Sequence, residues 1–130
     1  MDNLKTRRLT SFGAAVGSCL LAVTLAAAPA YASGSVVNAE GSAGVDFESY
    51  GEHLIVHDYA FDGRDTVGVL DVKTGNGWDR RHEVPNYNGY YGAAVDKNLS
   101  YAEGTSVRYK ACELYGGYFA NCSGWRYDTA

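Results

Sequence analysis

Residues 106–127, SVRYKACELYGGYFANCSGWRY, decide the fold. Two runs in which apolar and aromatic residues alternate with polar ones flank Tyr115-Gly116-Gly117-Tyr118. That alternation is the mark of half-buried strands, and the glycines between them mark a hairpin. Cys112 and Cys122 lie symmetrically about Gly117. If they oppose one another across an antiparallel pair, their Cα atoms fall within disulfide reach. The turn is then an odd-numbered loop centred on Gly117, where glycine supplies the positive φ such loops require. Closing so short a loop stabilises the fold by about 2–3 kcal/mol in the chain-entropy model. This register also predicts the faces. Val107, Tyr109 and Ala111 share a core face with Trp125 and Tyr127. Arg108, Lys110 and Arg126 fall on the other face beside the disulfide. That basic stripe is either a solvated face or a contact patch for an acidic partner.

The rest of the chain belongs to the same class. It holds 16 Gly and 11 Tyr against 2 Pro and 1 Met. Beyond residue 32 no long stretch places apolar residues at i, i+3, i+4 and i+7. Short runs rich in Val, Tyr and Trp are instead broken by Gly, Asn and Asp. The predicted strands are 45–50, His53–Asp58, 66–72, 90–95, 106–114 and 119–127. In His53–Asp58, Leu54 and Val56 share one face, and His53, Ile55 and His57 the other. The segment 66–72 is almost continuously apolar, which predicts a strand buried on both sides or bulged at Gly68. Thr74-Gly75-Asn76-Gly77 is a turn or loop entry. The expected fold is all-β: a small antiparallel β-sandwich or barrel closed by one disulfide.

Residues 1–32 are expected to be a cleaved signal peptide. Lys5, Arg7 and Arg8 precede a run of apolar and small residues that ends at Ala30-Tyr31-Ala32. A basic n-region, an apolar h-region and a small-x-small site are the features of secretory processing. Residues 33–44 are small and polar and are expected to form a flexible arm, free to order on a partner. Residues 45–130 form the β-domain. Cleavage leaves 98 of the 130 residues, and the loss of three cations and one anion takes the formal net charge from −4 to about −6. An acidic domain of this kind argues against nucleic acid and against anionic membranes as partners. Cys19 lies inside the apolar run, so Cys112 and Cys122 are the pair left for a disulfide.

Chemistry-bearing motifs are few. His57 to Asp65, HDYAFDGRD, places one imidazole and three carboxylates in nine residues. Asp58, Asp62 and Asp65 do not follow the alternate spacing of a calcium loop and lack its terminal Glu. His53 and His57 share a strand face but stand about 13 Å apart, too far for one zinc ion. Asp62-Gly63 is a strong turn pair, so the stretch is read as a connection between strands. No phosphate loop, Cys-x-x-Cys, Gly-x-Ser-x-Gly or His-Glu-x-x-His is present. No residue is assigned a catalytic role, and no cofactor or metal is implied. The segment 77–92, GWDRRHEVPNYNGYYG, gathers Trp78, Arg80, Arg81, Tyr87, Tyr90 and Tyr91. Trp, Tyr and Arg dominate protein interfaces, so these residues, with Arg108, Lys110 and Arg126, are the candidate partner-binding set. Stacked aromatics also serve sugar binding.

Two resemblances refine this. Trp125-Arg126-Tyr127 resembles the recognition triplet of small secreted α-amylase inhibitors from actinobacteria, although there the triplet lies inside a disulfide ring and here it lies outside one. More broadly, the Ala-x-Ala ending, HLIVHD at His53–Asp58, the Asp62-Gly63 turn and the hairpin VRYKAC…NCSGW resemble the small secreted β-domain proteins common in actinobacteria. Some of these resemble the adaptor subunit of umbrella toxin particles, which joins a large toxin polypeptide to lectins. The resemblance implies a non-catalytic extracellular protein that binds other secreted proteins, and it assigns no site residue. The alternatives are an inhibitor of a secreted hydrolase (protease or glycosidase) and a small secreted toxin or enzyme.

Overall fold

The computed structural model describes residues 33–130, so the expected signal peptide lies outside the described residues. Nine strands run in the order β1 (Ser33–Val37), β2 (Ala43–Glu48), β3 (His53–Asp58), β4 (Asp65–Thr74), β5 (Gly77–Asn86), β6 (Val95–Asn98), β7 (Ser106–Tyr115), β8 (Tyr118–Ala120) and β9 (Arg126–Thr129). All pairs are antiparallel. One sheet has the order β1-β2-β3-β6; the other has β5-β4-β7-β8, with β9 also paired to β7. The fold is therefore all-β, two packed antiparallel sheets closed by the Cys112–Cys122 disulfide.

Period-two alternation builds the core. Ala43, Val45, Phe47, Leu54 and Val56 point inward from the first sheet. Leu70, Val72, Val84, Val107, Tyr109 and Ala111 point inward from the second. The Phe47 and Tyr109 rings meet between the sheets at 5.5 Å. At Gly68 the facing sheet leaves no room for a side chain: a Cβ there would lie 2.6 Å from Val56 Cγ2 and 3.1 Å from Val45 Cγ2. The glycine marks close approach, and the ladder is not bulged at that point. The bulge is one strand over, in β5, where Arg81 is the extra residue between the partners of Leu70 and Asp71. β4 is buried on both sides, as its apolar run predicts. Its outer residues Val67 and Val69 lie with Cys112 beneath Leu114 and Trp125.

Three expectations are corrected. Part of the expected flexible arm is β1, paired residue for residue with β2. Gly34 lets the β1 backbone pass against Arg126, the Tyr109 hydroxyl and Asp128. The expected strand at 90–95 is a loop through Tyr90 and Tyr91 that leads into β6. Most of 77–92, where no strand is predicted before residue 90, is the edge strand β5, joined to β4 by a two-residue turn at Gly75-Asn76. Pro85 and the charges of β5 suit an unpaired edge, because they discourage further strand addition.

The last hairpin also departs from the expected register. Tyr115 pairs with Tyr118 across the two-residue turn Gly116-Gly117, with φ of 57° and 83°. Both values are positive, as a type I′ turn demands. Cys112 and Cys122 do oppose one another, with Cα atoms 4.0 Å apart. Beyond them the chain slips again, and Arg108 pairs with Tyr127 and Tyr109 with Arg126. A one-residue slip reverses every face. Trp125 and Tyr127 are therefore not core residues, and Arg126 leaves the basic stripe.

One end of the sandwich is closed by a buried carboxylate. Glu113 accepts hydrogen bonds from Ser42 Oγ (2.6 Å), Arg64 Nη1 (2.6 Å) and Asn121 Nδ2 (2.6 Å). It thus ties the β1–β2 and β3–β4 connections to the end of β8. Burial alone would raise its pKa, but the three donors and the Arg64 charge overcome this and hold the carboxyl at about 2.

Two outcomes follow. Gly68→Val should cost about 1–3 kcal/mol in urea unfolding, through overpacking against Val56 and Val45. Because Glu113 is more acidic folded than unfolded, its contribution is complete above its ordinary value near 4.5 and is lost as pH falls toward 2. Each unit of displacement is worth about 1.4 kcal/mol. Unfolding curves should therefore show stability falling across that window, and Glu113→Gln should flatten the fall.

Candidate functional site

The outer face of the second sheet carries the densest set of interface-type side chains. Register alone brings them together: Trp78 pairs with Lys73, Arg80 and Arg108 both pair with Asp71, and Tyr127 pairs with Arg108. Directly opposed residues share a face. The result is a ladder of alternating cations and rings. Lys73 Nζ lies 5.3 Å from the Trp78 ring, and the Arg108 guanidinium 4.9 Å from the same ring. Arg108 lies 4.1 Å from the Trp125 ring on its other side, and Lys110 Nζ 4.5 Å from Trp125. Tyr127 meets Trp78 edge-on at 5.6 Å. Each such contact is worth about 0.5–1 kcal/mol at an exposed site.

Asp71 holds the ladder in place. It is 2 % exposed, within a run, residues 67–72, whose other members are apolar or glycine. Arg80 Nε donates to one of its oxygens at 2.5 Å and Arg108 Nε to the other at 2.8 Å, with Arg108 Nη2 also 2.8 Å from that second oxygen. Arg80 also donates to Glu83 at 2.9 Å. Burial works against the Arg80 charge, but its bonds to Asp71 and Glu83 prevail and raise its pKa. Both arginines are thereby fixed as charged, planar groups that flank the rings. Lys73 and Lys110 differ: among the described residues neither is in an ion pair, and each sets its ammonium group over a tryptophan ring.

Below the ladder, a groove of about 350 Å³ runs past Lys73, Trp78, Ser106 and Tyr127. Toward the β5 and β8 ends, Val67, Pro85, Tyr87, Leu114 and Phe119 line a second depression of about 240 Å³. Tyr87 thus shares the outer face but not the ladder.

The remaining candidates lie elsewhere. Arg81, the bulged residue, is 3.6 Å from Asp79 and lies beside His82 and Tyr101 at the β5 edge. Arg126 is 3.6 Å from Asp128 beside Gly34, on the opposite face from the ladder. Trp125-Arg126-Tyr127 is therefore split between two faces and does not present one surface. Tyr90 and Tyr91 form a separate cluster with Phe61.

The stretch HDYAFDGRD is a connection between β3 and β4. Asp58 Oδ1 accepts from Ala60 N at 3.1 Å and Asp62 Oδ1 from Arg64 N at 2.9 Å, with Gly63 at φ 72°. His57 pairs with Asp46 at 2.8 Å, and His53 with Asp96 at 2.7 Å, as two separate pairs. Among the described residues, no group of three or more His, Cys, Asp or Glu is placed to hold a metal ion.

Sequence reading missed Asp71 and Lys73 and misplaced Trp125 and Tyr127. The available signal was Asp71 itself, a lone carboxylate inside VGVLDV, which a buried strand tolerates only when the charge is paired. Compared with family models, curated proteins and solved structures, the chain matches none.

Asp71→Asn should cost about 1.5–3 kcal/mol in urea unfolding, the scale of hydrogen bonds to charged groups. It should also change the tryptophan fluorescence of the folded state, because Arg108 loses the anchor that holds it between Trp78 and Trp125.

Proposed function

We propose that this chain is a secreted, non-catalytic protein–protein binding module that docks through the outer face of its second sheet. The most specific form of the reading is an adaptor in an extracellular antibacterial toxin complex, as the resemblance to small secreted β-domain proteins implies. The observation that carries the binding reading is the ladder Lys73–Trp78–Arg108–Trp125–Lys110. Tryptophan and arginine supply most hot-spot energy in protein interfaces. Here their rotamers are set before binding, by Asp71 and by mutual stacking, which lowers the ordering cost of association. The unpaired ammonium groups at the two ends favour a partner surface that carries carboxylates opposite them. Such rim charges mostly steer encounter and set specificity.

The test is affinity capture from native culture supernatant with tagged protein, followed by mass spectrometry. The wild type should recover one or more secreted proteins in stoichiometric amount. Large toxin and lectin polypeptides together would support the adaptor form; a single hydrolase would support an inhibitor instead. Lys73→Glu/Lys110→Glu should reduce capture at least about tenfold, and raising salt should weaken wild-type capture. Capture unaffected by the double charge reversal would contradict the proposed face.

A further inference from the structure

Away from the ladder, a cleft of about 300 Å³ lies between the β3–β4 connection and the loop that follows β5. Its aromatic wall is unusual. Phe61 is 82 % exposed and Tyr91 84 %, yet the two rings pack at 5.7 Å, and Tyr91 meets Tyr90 at 4.9 Å. These rings belong to neither core cluster. They form an apolar wall turned toward solvent.

Both sides of the cleft are fixed by hydrogen bonds. On one side, Asp58 and Asp62 hold their own connection, as described above. On the other, Asn88 N donates to Asn86 Oδ1 and Asn88 Nδ2 to Ala93 O, each at 2.8 Å. The acidic lining is Asp58, Asp62 and Asp65. Among the described residues none of the three carboxylates is in an ion pair. The one cation in the lining, Arg64, is already engaged: it donates to Glu113 at 2.6 Å and lies 5.1 Å from the Tyr115 ring. Burial, opposed by the Ala60 backbone hydrogen bond, and then the charges of Asp62, Asp65 and Glu113 push the Asp58 carboxyl above its ordinary range. Arg64 also feels the Asp62 charge, so the lining sets three carboxylates against one cation that is already bonded to Glu113.

We propose that this cleft is a docking site for a cationic side chain, arginine or lysine, projected by a protein partner. A guanidinium or ammonium group gains from ring faces and carboxylates together. A neutral sugar would use the rings but leave the carboxylates unneutralised, and an anion would be repelled. The site stands on its own observations and does not depend on the ladder. With the ladder it gives one small domain two chemically opposite surfaces, one for acidic and one for basic groups.

The test is an NMR titration of the purified protein with acetyl-Gly-Arg-Gly-amide, its citrulline counterpart and methyl glucoside. The arginine peptide should shift the Phe61, Tyr90 and Tyr91 ring resonances saturably. Citrulline, which keeps the shape and loses the charge, should bind at least about tenfold more weakly. Asp62→Asn/Asp65→Asn should weaken the arginine peptide about tenfold, whereas Lys73→Glu/Lys110→Glu should leave it unchanged. The same spectra report whether each variant is folded, and Phe61→Ser, at an exposed position, provides a second variant with the same expected loss. Equal binding of citrulline, or shifts with the glucoside and none with arginine, would overturn the proposal, as would the absence of any saturable shift at these rings.

Discussion

The outer face of the second sheet depends on one buried carboxylate. Asp71 lies in the buried stretch of β4 among valines, leucine and glycine, and its charge is costly there unless fully paired. Two arginines from the flanking strands β5 and β7 supply that pairing, one at each oxygen. The same bonds fix where the guanidinium groups lie. Arg108 then separates Trp78 from Trp125 and touches both. The strand face thereby becomes an ordered row of planar groups, and Trp125 within it packs with Leu114 against the cluster of Val67, Val69 and Cys112. The contacts that stabilise this face are the same ones that order the proposed docking surface.

Glu113 plays the corresponding part at the end of the sandwich. It gathers donors from three connections that share no strand pairing, and so fixes loops that the ladders alone would leave loose. It also has a local electrostatic effect. By bonding Arg64, it engages the one cation that lines the cleft with Asp58, Asp62 and Asp65, beside exposed aromatic rings. The two buried acids therefore divide the surface: Asp71 assembles cations on a sheet face, and Glu113 ties up the cation that lines a cleft. The disulfide adds a third constraint, by holding the chain between β8 and β9 near Trp125.

Much of this fold is legible in the amino-acid order, and the failures share a cause. His53–Asp58 alternates cleanly and forms β3 with the expected faces. The unbroken apolar run of β4 correctly indicates burial on both sides. The disulfide pair is likewise recoverable from its symmetry about the glycines. What fails is register across interruptions. The cysteines oppose one another as expected, but the ladder slips by one residue on each side of them, and the faces of Trp125, Arg126 and Tyr127 reverse. β5 shows the same effect. Trp78, Arg80, His82, Val84 and Asn86 keep a period of two through the strand, while the extra residue Arg81 moves the later three to the inner face. Alternation specifies a face only while pairing is continuous. The ladder was half visible as a basic stripe, because its aromatic half arrives through that slip. The cleft was visible only as fragments, since nothing local brings Phe61 to Tyr91.

Hydroxyl-radical footprinting of the free protein and of its complex captured from culture supernatant tests the central claim most directly. If the ladder is the contact face, Trp78, Trp125 and Tyr127 should lose reactivity on binding, while His53 and His57 on the far sheet keep theirs. Unchanged reactivity of both tryptophans, with protection confined to the first sheet, would contradict the account.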